Sequence, residues 1–160
     1  MKKLLALMLG MVCAFGLTAC GGTEQKETPQ EKELELALVA GMVEAGAFSE
    51  ELEELDADTA YMLYKLADYG LAREDLVDAA VLRSAGGTCE EGAVLLFADE
   101  AKAGVAAEAL GDYLAGQIEA NENYRPNEIP KLEGAVLKAQ GKSLLLAVAN
   151  DAAAVRSLFE

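Results

Sequence analysis

From Lys32 onward, apolar positions recur at spacings of three and four. Leu34, Leu38, Val39, Met42 and Val43 share one face of a predicted helix that Gly46 can end. Ser49 is placed to cap a second helical stretch, with Glu50 to Glu54 in its first turn and Leu52, Leu55, Met62, Leu63 and Leu66 on its buried side. Asp56 to Thr59 leaves open whether that stretch is continuous. Tyr69-Gly70-Leu71 reads as a stop, and Ala72 to Leu76 as a short helical turn.

The pattern then changes to strand. Ala79 to Arg83 and Ala93 to Ala98 flank a Gly-rich loop, and Ala135 to Ala139 and Leu144 to Ala149 flank Gln140-Gly141-Lys142-Ser143. Both pairs read as hairpins. AVLLFA and LLLAVA are continuous apolar runs, which suit central strands covered on both faces or a sheet whose second face meets a partner. Between the hairpins a long helix is predicted from Asp99, its N-cap, to Asn121, with Ala103, Ala106, Ala107, Leu110, Leu114 and Ile118 as its buried stripe. Gly104, Gly111 and Gly116 cost this helix about 1 kcal/mol each relative to Ala, which fits either close packing on a sheet or a helix that is simply weak. Pro126 and Pro130 shape the connection to the second hairpin. Asp151 to Phe159 forms a last helix capped by Asn150 or Asp151. The expected fold is α+β: two antiparallel hairpins in one sheet, packed with a long central helix, a C-terminal helix and N-terminal helices.

The first residues follow a different logic. Met1-Lys2-Lys3 precedes fourteen uncharged residues, Leu4 to Leu17, the length of a signal peptide and short for a bilayer span. The stretch ends Leu17-Thr18-Ala19-Cys20-Gly21. This resembles the lipobox of bacterial lipoproteins, an aliphatic residue and two small residues before a Cys. The resemblance implies a signal peptide over residues 1–19, cleavage before Cys20 and a diacylglyceryl thioether on the Cys20 sulfur. Two or more acyl chains then anchor firmly where one binds marginally. Gly21 to Glu31 holds no large apolar residue, so residues 20–31 read as a lipidated Cys and flexible tether, with one globular domain over residues 32–160.

Composition narrows the chemistry. The chain has 160 residues, 28 acidic and 13 basic, with no His and no Trp. Without His there is no imidazole triad, His-ligated metal or imidazole pH switch. Cleavage would remove Lys2 and Lys3 and take the net charge from −15 down to −17, which argues against a nucleic-acid partner. It would also remove Cys13 and, with Cys20 lipidated, leave Cys89 as the one thiol, so no internal disulfide is available.

Several motifs invite chemistry and do not support it. Gly141-Lys142-Ser143 resembles the end of a P-loop, but Val136 stands where its first Gly is needed and a strand follows. Asp56-Ala57-Asp58 lacks the Gly and Glu of an EF-hand, since Tyr61 and Ala67 hold those places; a looser cation site would use Glu53, Asp56 and Asp58. Cys89 lies between Thr88 and Glu90-Glu91, which favour the thiol, and reads as a bystander or a covalent dimer contact. Tyr61, Tyr64 and Tyr69 fit a half-buried core better than a stacking surface. No catalytic residue, metal site or cofactor is called.

From Tyr61 to Glu160 the order of pieces resembles the domain of unknown function 4358, found in small lipoproteins of Gram-positive bacteria. The marks are Asp68-Tyr69-Gly70-Leu71 before Asp75, Val94-Leu95-Leu96-Phe97 before a helix, Asn123-Tyr124-Arg125-Pro126, Gly141, Asp151 and Phe159. Gly92-Ala93 and Ala98-Asp99 depart from the polar lead and closing Lys common in that family. The resemblance implies an envelope lipoprotein on the extracytoplasmic face of the cell membrane and brings no activity with it. The expected function is a non-enzymatic binding or accessory module with an envelope protein partner; the alternatives are a small-ligand or cation-binding lipoprotein and a carboxylate-based wall hydrolase.

Overall fold

A computed structural model of the chain describes residues 34–159. The expected signal peptide over residues 1–19, the expected lipidated Cys and tether over residues 20–31, and residues 32, 33 and 160 of the expected domain lie outside the described residues. The element order is α1 (Leu38–Glu44), β1 (Glu53–Leu55), α2 (Ala57–Leu63), β2 (Leu76–Arg83), β3 (Glu91–Phe97), α3 (Glu100–Asn121), α4 (Ile129–Glu133), β4 (Val136–Gln140), β5 (Ser143–Val148) and α5 (Ala152–Arg156). Five strands form one antiparallel sheet in the order β1-β2-β3-β5-β4, so the fold is α+β.

The two apolar runs are β3 and β5, paired in the centre of the sheet with Ala93 opposite Leu146 and Leu95 opposite Leu144. Because side chains alternate along a strand, each run serves two cores. Ala93, Leu95, Phe97, Leu144, Leu146 and Val148 meet α2 and α3 in one cluster. Val94, Leu145, Ala147 and Ala149 meet α1 and α5 residues, Met42 and Val155 among them, in the other. The absence of polar alternation thus reflects cover on both faces. Gly141 takes a positive φ of 57° in the two-residue turn between β4 and β5, as a Gly-first hairpin requires. Ser143, the last residue of the P-loop-like triplet, is buried in β5 and donates its hydroxyl to the Leu34 carbonyl at 3.0 Å.

Three expectations need correction. Ser49 does not cap a helix, because its N–H and hydroxyl both donate to Glu90. Glu53–Leu55 instead adds a fifth, edge strand, with Glu53 opposite Arg83. The second helix begins at Ala57, where Asp56 is the N-cap and accepts from the Thr59 N–H at 2.7 Å. That later start rotates its buried side onto Ala60 and Tyr64, four residues apart, and leaves Met62 67% exposed. Val43, expected on the apolar face of α1, is 52% exposed, since this short helix buries only Val39 and Met42. Finally, Gly104, Gly111 and Gly116 face open space rather than the sheet. The glycine that does permit close approach is Gly92 in β3: a Cβ there would stand 2.7 Å from the Phe48 ring.

The glycines therefore have opposite roles. Gly104→Ala and Gly116→Ala are each expected to stabilise by about 0.5–1 kcal/mol, since they lower the unfolded chain's entropy and meet nothing. Gly92→Ala is expected to destabilise by about 1–3 kcal/mol through overpacking. Denaturant unfolding of the three variants checks both signs.

Candidate functional site

Two adjacent glutamates at the start of β3 are the polar centre of the molecule. Glu91 is 2% exposed and accepts from the Tyr64 hydroxyl at 2.5 Å, the Tyr113 hydroxyl at 2.7 Å and Arg83 Nε at 3.1 Å. These donors come from the end of α2, from α3 and from β2. The two tyrosine rings meet edge to face at 5.2 Å. Burial, then Glu91, raises the Tyr64 and Tyr113 hydroxyl pKa values, so both tyrosines are neutral donors.

Glu90 is fully buried and accepts from the Ser49 N–H at 2.7 Å, the Ser49 hydroxyl at 2.6 Å and Lys131 Nζ at 2.8 Å. Burial favours its neutral form, but the bonds from Lys131 and Ser49 outweigh this and hold its pKa below the ordinary glutamate value. Lys131 also pairs with Glu128 at 3.1 Å, and Glu128 accepts from the Cys89 N–H at 2.9 Å. Glu50 fastens the same loop, accepting from the Ser84 and Thr88 hydroxyls.

Beside this network opens a cleft of about 540 Å³, bounded by β1, the loop from Arg83 to Cys89, the end of α3, and Tyr124-Arg125. Its size falls in the range of small-molecule sites, about 300–1,000 Å³. Arg125 donates Nη1 to the Thr88 carbonyl at 2.9 Å, and its guanidinium lies 5.3 Å from the centre of the Tyr124 ring. Cys89 lines the cleft and is half-buried. Burial raises its thiol pKa, against the opposing pull of Arg125 and, more weakly, Arg83. The cations beside Cys89 come from β2 and the segment after α3, so its sequence neighbours Glu90 and Glu91 describe its surroundings poorly.

The other candidates are dispersed. Asp56 caps α2, Asp58 pairs with Arg73, and Glu53 lies on β1. Among the described residues, no three His, Cys, Asp or Glu side chains converge as metal ligands. Tyr61 donates to the Leu71 carbonyl and Tyr69 to Asp112. Tyr64 is buried at 1% exposure rather than half-buried. The residues expected to form a lipobox, Leu17, Thr18, Ala19, Cys20 and Gly21, lie outside the described residues. No described helix is long and apolar enough to cross a membrane. Neither a protein-family model, a curated protein nor a solved structure matches the chain.

Glu91→Ala leaves two tyrosine hydroxyls and Arg83 without their acceptor and is expected to destabilise by about 3 kcal/mol, read by denaturant unfolding. Glu90 has a distinct pH signature. A carboxylate whose pKa is lowered by folding stabilises above its unfolded value, and that gain is lost as pH falls through the folded value. The stability gap between wild type and Glu90→Gln should therefore be full at neutral pH and shrink below about pH 5. A gap constant from pH 7 to pH 3 would contradict this assignment.

Proposed function

We propose that the protein is a lipid-anchored envelope lipoprotein, held at the extracytoplasmic face of the membrane through Cys20, whose globular body is a non-enzymatic binding or accessory module. The observation that carries this reading is the Leu17-Thr18-Ala19-Cys20-Gly21 sequence after a cationic start and an uncharged run. Marks similar to the domain of unknown function 4358 lipoproteins, from Asp68-Tyr69-Gly70-Leu71 to Phe159, support the same placement.

The body's chemistry is compatible with binding. Its two most buried carboxylates, Glu90 and Glu91, are each engaged by three hydrogen bonds from within the fold. A carboxylate hydrolase needs an acid and a base facing one reacting bond, and these two are directed at structural donors instead. The cleft beside them has the size of a ligand site. Thirteen residues separate Cys20 from Leu34, a span of at most about 45 Å when fully extended. A body on such a leash can meet membrane-associated partners.

Expression in a bacterium with lipoprotein-processing enzymes tests the reading. Wild type should partition with membranes and incorporate labelled fatty acid. Cys20→Ala should lose the label and accumulate as the longer precursor. Unchanged maturation and labelling in Cys20→Ala would exclude lipidation at this position.

A further inference from the structure

The chain has more than two acids for each base, and four of its nine described cations sit in ion pairs with them. Arg73 pairs with Asp58, Arg83 with Glu91, Lys102 with Asp75, and Lys131 with Glu90 and Glu128. Arg125 stands outside these pairs. Among the described residues no carboxylate oxygen lies within 4.0 Å of it, yet it is half-buried and fixed in place. Pro126 follows it, the Arg125 N–H donates to the Asn121 carbonyl at 2.8 Å, and Arg125 Nη1 donates to the Thr88 carbonyl. An ordered guanidinium without a counter-ion, on the wall of a 540 Å³ cleft, has the donor geometry for a planar oxyanion.

We propose that this cleft binds a small organic anion, with a carboxylate or phosphate group on the Arg125 guanidinium and a flat, apolar remainder against the Tyr124 ring. Tyr124 is 77% exposed, so most of its ring is open to such a contact. Arg83 lines the same cleft with 36% of its side chain exposed, its charge shared with Glu91. Two carboxylates also line it. Glu90 is neutralised by Lys131, and Glu53 stands on the exposed edge strand, where solvent and salt screen it. Leu55 supplies an apolar wall and Gln117 and Asn121 supply amides, the mixture typical of pockets that orient a small ligand. This inference goes beyond membrane anchoring and stands independently of it.

NMR titration of the full chain in detergent tests the proposal, with benzoate, inorganic phosphate and uncharged benzamide as probes. Benzoate, phosphate or both should shift the backbone amides of Thr88, Cys89 and Tyr124, and the stronger of the two identifies the preferred oxyanion. Arg125→Gln should weaken that binding about tenfold or more, whereas Arg156→Gln, at the exposed end of α5, should leave it unchanged. Tyr124→Ala removes an exposed ring that the fold does not need, and should weaken benzoate binding more than phosphate binding. The proposal is overturned if neither anion shifts these amides or if benzamide binds as well as benzoate. Wild-type affinity in a folded Arg125→Gln, or unchanged benzoate affinity in Tyr124→Ala, would overturn it equally.

Discussion

Two neighbouring carboxylates carry the architecture. Glu90 and Glu91 are consecutive in sequence, so the extended backbone turns their side chains to different surroundings. Glu91 gathers Tyr64, Tyr113 and Arg83 on the side of the sheet covered by α2 and α3. Glu90 gathers Ser49, from the segment after α1, and Lys131 of α4. Each carboxylate is costly to bury alone, and each is compensated by three donors from elements that hydrophobic contact alone would fix less uniquely. Burial therefore depends on the whole set arriving together. The same wiring holds the Arg83 to Glu90 loop, and hence the wall of the cleft.

This arrangement explains how an acidic body has a defined interior. The excess charge lies largely on the surface, while the carboxylates inside are matched. The cleft is one place where the matching is incomplete in the opposite sense: the Arg125 guanidinium is held by the Thr88 carbonyl, with no acid opposite it among the described residues.

Much of the fold was legible from periodicity. The four longer strands, the 22-residue helix α3 and its Asp99 cap all fall where the sequence pattern places them, within a few residues. The edge strand was not legible, because three residues carry too little pattern and their partner Arg83 lies far along the chain. The α3 glycines misled because sequence records a missing Cβ without recording which way it points. The site was mostly hidden for a related reason. Glu90 and Glu91 read as ordinary surface acids until Ser49, Tyr64, Tyr113 and Lys131 are brought beside them from 22 to 41 residues away. Tyr124-Arg125 stood out as a mark beside Pro126, but its juxtaposition with Thr88 and Cys89 depends on tertiary structure.

The proposed function rests on lipidation of Cys20. Its most direct test is intact-mass spectrometry of the protein extracted from bacterial membranes. The account predicts a chain that begins at Cys20 and carries the added mass of a diacylglyceryl group, with or without a further acyl chain. A mature terminus at another residue, or a Cys20 of unmodified mass, would contradict it.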